Sequence, residues 1–200
     1  LAHGYRLATI LFAGIVALSS LVWTGHAGAT EGSLGLVHKT SDMLHMIAAA
    51  VWIGGIAAFL LILQIPSDQL WGDRLTIGHR ALEAFSRIGT ICVAVIAVTG
   101  IVNSQILVGV AKVWNVFDTR YGQLLFLKLL LVGAMLLLAA KNRWRLTPNL
   151  EIALADGETS QAVAALRQSL LLEAGAAVII LLLVAWLGML EPAANLAALP

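Results

Sequence analysis

His38, Asp42 and His45 stand four and three residues apart at the head of a long apolar run, with Met43 and Met46 among them. On a helix these steps put both imidazoles and the carboxylate on one face. The four-residue step from Asp42 to Met46 adds a thioether. Neutral imidazole suits copper, zinc, nickel or iron, thioether sulfur selects Cu(I), and carboxylate with imidazole suits Cu(II) or zinc. The mixed donor set fits copper best, as Cu(I) or Cu(II). His26 lies upstream in a glycine-rich stretch flexible enough to fold over the top of the same helix. The same residues also suit an ordinary helix start, where aspartate is electrostatically favoured, and methionine in lipid is an ordinary apolar residue.

The elements that must carry these side chains are membrane helices. The 200 residues are 60% hydrophobic and 12% charged, and the mean hydropathy is +0.92. A soluble domain carries about 25% charged residues. Net charge is +1, which gives no bulk field for nucleic acid, and the single cysteine, Cys92, excludes a disulfide framework. A span needs about 20 apolar residues. Five stretches qualify: Tyr5–Trp23, His38–Gln64, Arg87–Val110, Tyr121–Ala140 and Ser169–Leu190. The expected fold is an all-α polytopic transmembrane bundle, with residues 1–200 as a single helical domain. Because the first residue is Leu1, the chain reads as part of a longer membrane protein.

The punctuation between spans is read from glycine and proline. Thr24–Val37, with four glycines, is expected to be a loop. Pro66 and Gly72 end the second span, Pro148 breaks the chain after the fourth, and Asp156-Gly157 makes a turn. Gln161–Arg167 begins the last helix before it enters lipid. Arg6, Arg74, Arg80, Arg87, Lys141, Arg143, Arg145 and Arg167 fall on one side of an alternating bundle, against Lys39, Lys112 and Arg120 on the other. Positive loops stay in the cytoplasm, so the N-terminus is expected inside and the C-terminus outside. His26 and His38 then face the outer compartment, with His45 about 10 Å deeper. Most tryptophans (23, 52, 71, 114, 144 and 186) are expected near span ends, where amphipathic rings prefer to lie.

A second polar set lies inside the later spans: Thr99, Asn103, Ser104 and Gln105, with Lys128 and Glu173. An ionisable side chain at mid-bilayer costs roughly 2.5–3.5 kcal/mol on insertion scales, so such residues mark a functional site by default. Asn103 and Lys128 are placed to shape a cavity below the histidines, with Glu173 further along the path. The competing reading is interhelical hydrogen bonding, and for Glu173 a pairing with Arg87 or Arg167 near the cytoplasmic edge. Gly54, Gly55 and Gly100 allow close helix approach.

Short motifs run through most of the chain: Gly25-His26-Ala27, His45 followed by Trp52-Ile53-Gly54-Gly55, Phe85-Ser86-Arg87, and Thr99-Gly100 with Asn103. They continue with Thr119-Arg120-Tyr121-Gly122 through Lys128, then Asn142-Arg143, then Ser169 with Glu173 before Pro192. In order and spacing these resemble the copper resistance protein D (CopD) family of bacterial inner-membrane copper-transport proteins. The resemblance implies copper handling between periplasm and cytoplasm, beside a small periplasmic copper-binding protein of the CopC type. Family members are usually longer, and this chain would match their C-terminal part.

No nucleophile elbow, phosphate-binding loop or paired-carboxylate motif is present, so the chain reads as a copper carrier in the lipid bilayer and not as an enzyme. A haem-binding electron carrier is the alternative from another class. It needs axial histidines on facing helices, and His45 alone lies well inside a span, with His3 and His79 on the other side. A docking subunit for a periplasmic copper chaperone, without translocation, is a third reading.

Overall fold

The structure is a computed structural model. It describes residues 2–24, 26–64, 71–108 and 117–190, with the side chains of all of these except 2, 3, 26, 64, 71–76, 79 and 82–84. Every regular element among them is helical: α1 (Ala2–Ser20), a 3-10 turn (Leu21–Trp23), α2 (His26–Ala29), α3 (Gly32–Gln64) and α4 (Trp71–Leu107). There follow α5 (Arg120–Lys141), a π-turn (Asn142–Leu146), α6 (Thr147–Asp156) and α7 (Ser160–Leu187). Five helical stretches are long and apolar enough to cross a membrane: Gly4–Trp23, Gly32–Leu63, Phe85–Leu107, Arg120–Asp156 and Ser160–Leu187. The chain is thus an all-α, multi-pass membrane protein. Helices suit this setting because every backbone polar group inside lipid must be satisfied within the segment.

The apolar core follows one stripe of α3. Ala48, Trp52, Ile56, Phe59, Leu60 and Leu63 recur at three- and four-residue steps and pack with Cys92 of α4, Met135 of α5, and Leu166, Leu170 and Ala177 of α7. Trp52 is therefore a core residue and not an interfacial anchor, while Trp23, Trp144 and Trp186 are exposed. Trp71 and Trp114 lie outside the described side chains. α3 and α4 pair along their lengths, and Gly55 makes that approach possible. A Cβ on Gly55 would meet the Phe85 ring at 2.1 Å, whereas Gly54 has open space. Phe85 in turn sits edge-on to Phe59, with centroids 5.4 Å apart.

Three expectations are corrected. Thr24–Val37 is not a loop, because α2 and the first turn of α3 lie within it. Its glycines serve close backbone approach: a Cβ on Gly28 would lie 2.6 Å from the Trp23 carbonyl oxygen, and one on Gly35 2.1 Å from that of Thr30. Gly32 takes φ +69°, which favours glycine. Pro148 does not break the chain, which continues helically from Arg120 to Asp156. The proline falls in the first turn of α6, directly after the π-turn. Gly72 does not end a span but lies in the first turn of α4, so Arg74, Arg80 and Arg87 are helical. Pro66 lies outside the described residues. The turn at Gly157 is as expected, with φ +80° at the end of α6, and α7 does begin ahead of Gln161.

Candidate functional site

The residues at the head of α3 are tied, one by one, to neighbouring elements. His38 is buried, with Nδ1 2.9 Å from the Thr30 hydroxyl. That contact exists because the Gly32 turn folds Thr30 back beside α3. One turn further along, Ser41 donates to the Thr99 carbonyl at 3.2 Å, and Asp42 Oδ1 accepts from Asn103 Nδ2 at 3.2 Å. At the next turn His45 Nδ1 lies 2.9 Å from Thr99 Oγ1. Residues 99 and 103 stand four apart on α4, as 38, 42 and 45 do on α3 at steps of four and three. Two helix faces therefore meet in register.

The hydrogen bonds of Thr99 set the state of the His45 ring. Its hydroxyl donates to the Val95 carbonyl at 2.5 Å, with the Ile96 carbonyl on the same side at 3.3 Å. A hydroxyl has one hydrogen, so toward the imidazole Thr99 Oγ1 acts as acceptor. Nδ1 then carries a ring proton, a ring N–H also reaches the Ile96 carbonyl, and a metal would need the lone pair of the neutral ring at Nε2. The ring rests against Gly100, whose absent Cβ would lie 3.6 Å from Cε1.

Lys128, half-buried on α5, is close enough for its ammonium to act electrostatically on Asp42 and on His45. Asn103 Oδ1 is buried with no hydrogen-bond partner. Asn103 is thus bonded to α3, and Lys128 acts on α3 through its charge. Met43 and Met46 are half-buried on the same helix. The backbone of His26 lies in α2, but its side chain is outside the described residues. Among the described residues no three His, Cys, Asp or Glu side chains gather in a group able to hold a metal ion. His38, Asp42 and His45 share a helix face but have separate partners. A copper ion held there would draw on Asn103 Oδ1 or on a methionine sulfur beside the imidazoles.

Glu173 belongs to a different place. Its expected arginine partners, Arg87 and Arg167, are exposed, and the carboxylate accepts instead from Asn142 Nδ2. Arg143, next in the π-turn, donates to the Ser86 carbonyl at 3.3 Å and to the Thr90 hydroxyl, fastening the end of α5 to α4. Asn142 is 14 residues beyond Lys128, about 21 Å along the helix, so the two polar regions are well apart. The sequence reading missed Thr30, Ser41 and Asn142 as partners. Their signal was their polarity within or beside apolar runs, but nothing in the spacing says which helix each one faces.

Sequence comparisons give the family. The family model described as copper resistance protein D covers residues 79–187. The chain belongs to the copper resistance protein D family. It is 40% identical over 186 residues to a protein named copper resistance protein D from Pseudomonas syringae pv. tomato, covering 93% of this chain and 59% of the relative. It is 32% identical over 133 residues to inner membrane protein YebZ of Escherichia coli, covering 65% of the chain and 42% of the relative. It is also 32% identical over 137 residues to copper transport protein CutJ of Bacillus subtilis, covering 68% and 24%. The chain thus spans from about a quarter to three fifths of the length of these relatives. No solved structure gives a significant match. As a copper resistance protein D family member with five spanning helices, the chain is a multi-pass protein of the bacterial inner membrane.

Proposed function

We propose that this chain captures copper at the head of α3 and passes it between periplasm and cytoplasm. The carrying observation is the pair of cross-helix bonds, His45 with Thr99 and Asp42 with Asn103, which bring an imidazole, a carboxylate and an amide whose buried oxygen has no partner onto one α3–α4 seam. Copper is the cargo. His38 and His45 supply nitrogen, Asp42 supplies oxygen, and Met43 and Met46 supply sulfur as the ion becomes Cu(I). His26 is a further candidate imidazole for the same ion. Asn103 and Lys128 line the path below. Lys128 opposes a cation by its charge, which keeps the bound ion in transit. The arginine-rich ends of the helices lie in the cytoplasm, so capture is from the periplasm, and a small periplasmic copper-binding protein delivers the ion to the α2–α3 end.

The test is the copper content and affinity of the purified protein for Cu(I) and Cu(II), beside His38→Ala and His45→Ala. Stoichiometric copper, lost in both variants with helical content unchanged, supports capture at this site. Equal binding by all three proteins, or no binding by any, refutes it.

A further inference from the structure

The helix crossing of α5, α7 and the π-turn holds three polar side chains that are almost wholly buried. Glu173 is 2% exposed, Ser169 3% and Asn142 7%. Ser169 and Glu173 are one turn apart on the same face of α7, amid Leu166, Leu170 and Ala177 of α7 and Met135 of α5. Asn142 Nδ2 donates to Glu173 Oε1. Asn142 Oδ1 and Ser169 Oγ are buried with no hydrogen-bond partner, although buried polar atoms are nearly always paired.

No cation on the packed elements answers the carboxylate. The stretch of α3 from Met46 to Leu63 has no ionisable side chain. On α5, Lys128 is about 21 Å back along the helix and Lys141 is exposed. Arg145 of the π-turn, Glu151 and Asp156 of α6, and Arg167 of α7 are exposed too. Arg143 is also exposed and is bonded to α4. An ionised carboxylate among apolar side chains needs a counter-charge or several donors, and a single amide N–H is present. A neutral carboxylic acid needs no counter-charge. It also adds an O–H donor beside two oxygens that lack one.

We propose that Glu173, with Asn142 and Ser169, forms a proton-binding site separate from the residues that face copper. The proton joins Oε2, the carboxyl oxygen that Asn142 Nδ2 does not hold. Asn142 then grips the acid twice, Nδ2–H to Oε1 and Oε2–H to Oδ1. On release the O–H bond breaks, the proton passes to water, and no electron moves. In the working protein this proton is the counter-ion of copper movement, a role that rests on the translocation proposed above.

The test is infrared spectroscopy of the full chain in lipid nanodiscs, with Glu173→Gln and Asn142→Leu as variants. The wild type is expected to show the C=O stretch of a protonated carboxylic acid at neutral pH, absent in Glu173→Gln. Asn142→Leu keeps the acid but removes its amide partner, so its band moves, and this assigns the band should Glu173→Gln fail to fold. A carboxylate ionised at every pH at which the protein is folded, including one merely bridged by water, overturns the proposal. So does a carboxylate band that answers to sodium and not to pH. In sealed vesicles, copper entry is expected to drive proton movement that falls at least tenfold in Glu173→Gln, and equal proton movement in both proteins overturns the coupling. If copper does not cross at all, the translocation reading fails, while the infrared band still decides the proton site.

Discussion

The head of α3 and the crossing of α5 with α7 are both polar, but they are built in opposite ways. At the head of α3 the side chains bond across helices, Thr30 with His38, Asn103 with Asp42 and Thr99 with His45. Asp42, His45, Asn103 and Lys128 are only half-buried, although His38 is as deeply buried as Glu173. At the crossing, Glu173, Ser169 and Asn142 are sealed among apolar side chains, with one bond between them and two atoms unpaired. The first arrangement fixes donor atoms in a half-open place, which suits a metal arriving from water. The second encloses a carboxyl group where even a water molecule would be a guest. Polarity alone does not distinguish the two; burial and the count of partners do.

The largest effect that would break this comparison is loss of the metal site itself. His45→Ala is expected to weaken copper binding by more than about 100-fold, since removing a group that merely orients a ligand already costs about 10–100-fold. Titration with Cu(I) and Cu(II) reads this directly. Thr99→Val should fall within that smaller range, because Nδ1 loses its acceptor and the ring is free to present the wrong nitrogen. Thr99→Ser should restore binding; failure of serine to rescue would mean that the methyl packing of Thr99 matters and its oxygen does not.

Stability sharpens the contrast further. Gly55→Ala is expected to cost roughly 1–3 kcal/mol by overpacking, because the new Cβ would fall 2.1 Å from the Phe85 ring. Gly54→Ala, with open space, should leave the melting temperature unchanged, so equal loss in both would show that helix flexibility and not packing is at issue. Ser169→Ala is the smallest change, within about 1 kcal/mol, since its hydroxyl has no bond to lose. A larger loss on thermal unfolding would reveal a tightly held guest at the crossing.

Much of the bundle was legible in the sequence because lipid imposes a length and an apolar composition on any span. Each of the five expected segments overlaps a spanning helix. The shared face of His38, Asp42 and His45 was equally legible, since it follows from helical periodicity alone. The short motifs behind the family resemblance also turn out to meet in space: Thr99 on His45, Asn103 on Asp42, Asn142 on Glu173, Arg143 on Ser86 and Gly55 under Phe85. What misled was punctuation. Gly28 and Gly35 read as a loop although they let backbones touch, Gly32 although it turns the chain into α3 at positive φ, and Pro148 read as a break although helix continues through it. Local sequence records that a glycine or proline is present but not which neighbour makes it necessary.

The sequence by itself therefore determined the class of protein, the five spanning stretches and the face of α3 that His38, Asp42 and His45 share. These depend on composition and on the 3.6-residue turn, both local properties. Only the tertiary structure decided that Thr99 faces His45, that Glu173 meets Asn142 and no arginine, and that Trp52 is buried. The two bonds join residues 54 and 31 positions apart; they are set by how helices pack and rotate against each other, and no periodicity within one helix encodes them.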